Sequence, residues 1–202
     1  KVDEPIRLLQ ISDLHLERIT GREKQLNRLI RDLKPDVVVF TGDFLNISYL
    51  EDPVALEQVR QVISEWSAPH GVYLVSGSPA VDLPELLPDI LKGVNLHWLD
   101  DEKMRLSIHG GQIELLGVTC SHKPFLDLQP LNQLLWDSDR EIFKLLLYHS
   151  PDLAPDAAEC GVDLMLSGHT HGGQVRLPVI GSLFTGSLYG RKFQAGAYRV
   201  GE

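Results

Sequence analysis

Short runs of consecutive apolar residues recur along the chain, and between the early ones apolar residues fall every three or four positions. The first run, residues 6–11, reads as a buried strand. Over 22–33, Leu26, Leu29, Ile30 and Leu33 keep helical spacing. Lys34-Pro35 closes that helix, because proline disfavours helical geometry in the residue before it. Residues 36–40 form a second strand that ends in Thr41-Gly42-Asp43. Asp52-Pro53 has the form of an N-cap with proline in the first helical position. Leu56, Val59, Val62, Ile63 and Trp66 then mark an amphipathic helix. A third strand, 72–75, ends in Ser76-Gly77-Ser78-Pro79. Three strand–loop–helix units in succession predict a parallel or mixed sheet covered by helices.

From residue 94 the pattern changes. Segments 94–99, 104–108 and 113–118 read as short strands, with His109-Gly110-Gly111-Gln112 as a hairpin turn, so a second sheet with antiparallel pairs is expected. Residues 121–130 show no period and read as a surface loop; 131–135 make at least one helical turn. Another buried strand, 142–147, ends at Tyr148-His149-Ser150-Pro151, and 152–159 is a short helix stopped by Gly161. Strand 162–166 feeds directly into Gly168-His169-Thr170-His171-Gly172-Gly173-Gln174. Segments 174–177 and 194–200 complete the expected strands. No repeat, low-complexity tract or linker divides the chain, and residues 1–202 read as one domain.

Composition narrows the function classes. A formal charge of −9 argues against an unassisted nucleic-acid binder and against a polybasic membrane patch. Two cysteines, Cys120 and Cys160, give neither a disulfide framework nor a cysteine zinc site, and read as buried free thiols. No apolar run approaches the roughly 20 residues of a membrane span. The chain starts at Lys1 without a methionine and reads as a piece of a longer precursor, so its location is left open: membrane-associated or extracytoplasmic with an N-terminal anchor, cytoplasmic without one.

The chemistry sits at strand ends. Asp13 and His15, Asp43, His149, and His169 with His171 all follow apolar strands, where ligands of open α/β sheets bind. Six oxygen and nitrogen donors exceed what one closed tetrahedral zinc uses. They suit two divalent ions, which clamp a phosphoryl group and generate hydroxide at neutral pH. Asp43 is the natural bridge between them, since a carboxylate has two oxygens.

The order Asp13-x-His15, Gly42-Asp43, a turn containing Gly77, His149 and Gly168-His169-x-His171 resembles the calcineurin-like metallophosphoesterases, and in particular a bacterial, often membrane-associated subgroup. The resemblance implies a four-layer α/β/β/α sandwich of two mixed sheets. It implies one metal on Asp13, His15, Asp43 and His171, and a second on Asp43, His149, His169 and an amide oxygen, with manganese, iron, zinc, nickel or cobalt as candidates. Asp43, His149 and His169 would then serve the attack of metal-bound hydroxide on a phosphodiester or pyrophosphate. Substrates would be phosphorylated small molecules, lipids or nucleotide-sugars, with membrane contact through a segment outside this chain and no nucleic-acid partner. The family turn reads Gly-Asn-His followed by an acid; here it reads Gly77-Ser78-Pro79-Ala80. Ser78 replaces the ligating amide, Pro79 the histidine that serves the leaving group, and Ala80 the acid that orients that histidine. These changes leave a second reading, a degenerate member with one weak or missing metal that binds a phosphorylated ligand without efficient turnover. His70, His97 and His109 read as structural or solvated, His122 as a loop histidine that either contacts substrate or is inert, and Trp66, Trp98 and Trp136 as core or rim packing.

Overall fold

The computed structural model describes residues 4–173, 175–177 and 181–201. Strand β1 (Leu8–Ile11) leads through helix α1 (Gly21–Leu33) to β2 (Val37–Phe40). Helix α2 (Pro53–Ser64) then carries the chain to β3 (Val72–Leu74), and a short α3 (Leu87–Leu91) to β4 (His97–Trp98). These four strands pair in sequence order, and every pair is parallel. Helical crossovers return each strand to the same end of the sheet, so the first sheet is parallel throughout and only the second is mixed.

Local chemistry sets the boundaries. Thr20 caps α1 in a reciprocal box with Glu23, and Lys34 ends the helix in a left-handed conformation, one residue before Pro35. Asp52 caps α2 by accepting from Val54 and Ala55 N–H, with Pro53 in the first turn as expected. Trp66 lies just past the end of α2, buried, and donates its indole N–H to Asn27.

The second sheet has the order β5 (Glu102–Ile108), β6 (Gly111–Gly117), β7 (Phe143–Leu147), β8 (Leu164–Leu166). The β5–β6 hairpin is antiparallel, as its turn predicts, and the remaining pairs are parallel. Helices α4 (Pro124–Leu135) and α5 (Ala154–Glu159) cover it. A two-stranded antiparallel ribbon of β9 (Val175–Leu177) and β10 (Gly181–Phe184) follows the glycine-rich turn.

Three apolar clusters define the layers. Ile11, Val38, Phe40 and Leu74 on one face of the first sheet meet Ile30, Val59 and Ile63 of its helices. The opposite face, through Val37, Val39 and Val75, packs on Ile108, Leu115, Leu145 and Leu147 of the second sheet. The outer face of that sheet, through Leu116, Val118, Leu146 and Tyr148, meets Leu131 and Ala157 of α4 and α5. Because side chains alternate across a strand, Val37/Val39 and Val38/Phe40 serve different clusters. The sandwich is α/β/β/α.

Several expectations are corrected. Segment 94–99 does not join the second sheet: only His97 and Trp98 are strand, and they pair in parallel with Tyr73 and Leu74 of the first. The loop expected over 121–130 is helical from Pro124, with Pro130 inside the helix. Segment 194–200 is not a strand: residues 194–196 bend, and Ala195 is bridged by the Tyr198 hydroxyl. Trp136 packs against little, being 91% exposed, and Cys160 is only half-buried, whereas Cys120 is buried as expected. Gln174, the first residue of the expected 174–177 strand, lies outside the described residues. Among the described residues no helix is long and apolar enough to cross a membrane.

Candidate metal centre

Asp13 and His15 follow β1, Asp43 follows β2, Ser78 follows β3, His149 follows β7, and His169 and His171 follow β8. All lie at carboxyl ends of strands, and the two sheets bring those ends together. Asp13, His15, Asp43, His169 and His171 all hold positive φ, between 40° and 71°. Such backbone costs non-glycine residues on the order of 1–3 kcal/mol and collects at functional sites. It turns each side chain out of the sheet toward a common point.

Two groups of donors result: Asp13, His15 and His171, and Asp43, His149 and His169, the potential ligand atoms within each lying within 4.8 Å of one another. His15 Nε2 lies 3.1 Å from His171 Nε2, and His171 Nε2 lies 3.4 Å from Asp13 Oδ1. Asp43 Oδ2 lies 3.4 Å from His15 Nε2 in the first group and 3.4 Å from His149 Nε2 in the second. Ligands about 2.1 Å from an ion stand roughly 3.0–3.4 Å apart at octahedral or tetrahedral edges, so the spacings fit cations. The second group is the deeper: His149 is fully buried, whereas His15 and His171 are each 28% exposed at the side chain.

Neighbours fix which nitrogen faces inward. His149 Nδ1–H donates to the Thr41 carbonyl at 2.6 Å, and His15 Nδ1–H to the Leu45 carbonyl at 3.3 Å, so each leaves Nε2 for the centre. His169 reverses this: Nε2–H donates to the Gly186 carbonyl at 3.1 Å, leaving Nδ1. Its backbone N–H donates to both oxygens of Asp13, at 3.0 and 3.1 Å, which ties the two groups together. Gln10 bridges the sheets beneath, donating to Thr41 Oγ1 and to the Ser167 carbonyl.

Two glycines permit the close approach. A Cβ on Gly77 would lie 2.2 Å from the Asp43 nitrogen and from its Oδ1; one on Gly168 would lie 1.8 Å from Ser12 Oγ and 2.3 Å from Asp13 Oδ2. Beside Gly77, Ser78 N–H donates to Asp43 Oδ1 at 2.6 Å. The Ser78 hydroxyl lies 3.2 Å from Asp43 Oδ2 and 3.2 Å from His149 Nε2, within the second group, while Pro79 and Ala80 are exposed.

Electrostatics follow from this packing. Burial opposes charge on Asp43, but hydrogen bonding and the charge of His149, with the Ser78 N–H, hold its carboxyl at about 2. Burial likewise opposes charge on His149, yet Asp43 raises it above the ordinary value. Burial and the neighbouring His149 lower both His169 and His122.

Sequence reasoning missed one neighbour of the centre and left a second undecided. Asp82 is buried and accepts from the backbone N–H groups of Asp43, Phe44 and Gly77 at 2.8, 3.0 and 2.7 Å. Burial and the charge of Asp43 push it up to about 6 despite those donors. The only signal is an acid five residues after Gly77. The second is His122, left open between substrate contact and inertness: its ring lies 4.5 Å from that of His169 and 6.2 Å from that of His149.

A family model described as "Calcineurin-like phosphoesterase" matches residues 6–173, the stretch that contains every donor above. The chain is 24% identical over 207 residues to an Escherichia coli protein named phosphodiesterase YaeI, covering 98% of this chain and 72% of that one. It is 24% identical over 225 residues to a Chlamydia trachomatis protein named UDP-2,3-diacylglucosamine pyrophosphatase LpxG, covering 86% of this chain and 65% of that one. Across four bacterial relatives the chain spans 63% to 72% of their length. The structure of phosphopantetheinyl hydrolase PptH from Mycobacterium tuberculosis shares the fold, with a TM-score of 0.55, 13% identity and 86% of each chain covered.

Proposed function

The chain belongs to the calcineurin-like phosphoesterase family, and from that membership together with its paired donor groups we propose that it hydrolyses phosphodiesters or pyrophosphates at a dinuclear metal site. Asp13, His15, Asp43 and His171 would hold one divalent ion; Asp43, Ser78, His149 and His169 would hold the other. The supporting observation is the position of Asp43 Oδ2, 3.4 Å from one imidazole of each group. When bound, two such ions supply a water of lowered pKa and neutralise charge on a phosphoryl group between them. Manganese, iron, zinc, nickel and cobalt all suit a mixed imidazole and carboxylate set.

The residues around the ions define the substrate class. Ser78 offers a hydroxyl where an amide oxygen would be the stronger donor, so the second site is the weaker. Pro79 has no proton to give, and general acid catalysis is worth about 10²–10⁴-fold. Esters with poor leaving groups are therefore disfavoured, and diesters or pyrophosphates of small molecules, lipids or nucleotide-sugars are preferred. The names of the two relatives, a phosphodiesterase and a pyrophosphatase, agree with that preference.

Elemental analysis of the purified protein combined with turnover of bis(p-nitrophenyl) phosphate tests this reading. About two metals per chain with hydrolysis supports it. A metal-loaded protein inert toward mono-, di- and pyrophosphate substrates overturns it. The Ser78-Pro79-Ala80 turn favours a second reading, a protein that binds a phosphorylated ligand on one ion without efficient turnover. Ser78→Asn combined with Pro79→His separates the two: a rise in turnover of about 10²-fold or more identifies a crippled natural site, and no change identifies a working site that uses a different hydrogen-bond donor.

A further inference from the structure

His122 stands in the connection between β6 and α4, and the structure holds it firmly against the second donor group. Its φ is +59°, a conformation it shares with Asp13, His15, Asp43, His169 and His171. The residue before it is clamped: Ser121 donates its N–H and its hydroxyl to the Asp127 carboxylate at 2.9 and 2.6 Å, and Lys123 N–H donates back to the Ser121 hydroxyl at 3.2 Å. Asp127 is buried and also accepts from the Tyr148 hydroxyl at 2.6 Å. The His122 loop is thus tied to the residue that precedes His149. Its ring lies against His169, whereas Ser78 contacts Asp43 and His149.

One nitrogen of the ring is accounted for. Cys120, a buried thiol, lies 3.9 Å from Nδ1. In the tautomer in which Nδ1 accepts from that S–H, the ring hydrogen sits on Nε2. Nε2 has no partner among the described residues.

We propose that His122 is a substrate-contacting residue whose Nε2–H donates a hydrogen bond to the leaving oxygen of a phosphoryl group at the second donor group, from the His169 side, where Pro79 offers none. In the step it serves, water oxygen bonds to phosphorus and the phosphorus–oxygen bond to the leaving group breaks. The electron pair stays on the departing oxygen, which takes its proton from water, and His122 keeps its own hydrogen. A donor aimed at an oxygen that gains charge binds the transition state more tightly than the ester.

The inference rests on the phosphoesterase reading, and its test separates the two. The probes are manganese, inorganic phosphate and two diesters that differ in leaving group, p-nitrophenyl and phenyl. His122→Ala should keep the metal stoichiometry of the wild type and weaken phosphate binding about tenfold. It should lower kcat by about ten- to a hundredfold, more for phenyl than for p-nitrophenyl, with KM changed less. His122→Gln, which retains an N–H donor, should recover part of each loss. Unchanged kcat on both diesters, or a fall in metal content, overturns the assignment. A wild-type protein without turnover overturns the phosphoesterase reading alone. Phosphate affinity then decides for His122: weaker binding in His122→Ala sustains the contact, and equal binding removes it.

Discussion

A single carboxylate oxygen of Asp43 faces one imidazole of each donor group, so the two candidate cation sites share a wall. Asp43→Asn keeps the shape and removes the charge, and is expected to bring metal content below one per chain and turnover down at least about 10²-fold, read by elemental analysis and diester kinetics. Gly168→Ala acts on the same centre by bulk alone. The added methyl would sit 1.8 Å from Ser12 Oγ, and relief requires Asp13 to move. Metal content should fall, with a stability loss of about 1–3 kcal/mol measured by denaturant unfolding. At this scale the six candidate donors were legible, because each is a carboxylate or imidazole placed soon after an apolar run, with glycine beside Asp43, His169 and His171. Asp82 and His122 were not. Each is recruited across space, Asp82 by three backbone N–H groups and His122 by contact with His169, and an acid five residues after Gly77 or a lone loop histidine is too weak a signal to assign either.

The turns between elements are held as tightly as the ligands. Asp82 secures both the Gly42-Asp43 turn and the Gly77 turn with one carboxylate. Asp82→Ala strands three buried N–H groups, each costing about 1–3 kcal/mol, so a large drop in Tm together with loss of metal binding is expected, with Asp82→Asn intermediate. The start of α1 sets a pH dependence. Burial works to raise the Glu23 carboxyl, but Thr20 and Arg22 hold it down at about 2, below the ordinary 4.5. Its contribution to stability is present above 4.5 and lost as pH falls toward 2. Tm of the wild type should therefore fall more steeply between about pH 5 and pH 3 than Tm of Glu23→Gln. Most elements were legible from period alone, because a helix or buried strand leaves one face or one run apolar. Helix α4 was obscured by Pro130, which removes a backbone donor where a helix normally needs one. Residues 94–99 were assigned to the wrong sheet because a two-residue edge strand has too short a pattern to reveal its partner.

At the scale of the molecule, each donor group draws on both sheets. Asp13, His15 and Asp43 come from the first; His149, His169 and His171 come from the second. Cations bound there add to the apolar contact between the sheets, so manganese at about a hundredfold its Kd should stabilise the chelator-stripped protein by roughly 2.7 kcal/mol. For a chain of this size that corresponds to a rise in Tm of about 5–10 °C, measured by thermal melting with and without the ion. Two sheets were legible because strand–helix units and hairpins dictate different pairings, and the layer order came from the family resemblance, whereas the seam between the sheets depends on contacts such as Gln10 to Ser167, 157 positions apart.

The exposed Asp100-Asp101 junction links β4 to β5 and separates the two sets of ligands. Neither half of a chain nicked at that point would own a complete chelating pocket. Reassembly of the fragments through the shared apolar seam would then tighten with cation concentration, the ion acting as a removable rivet across it.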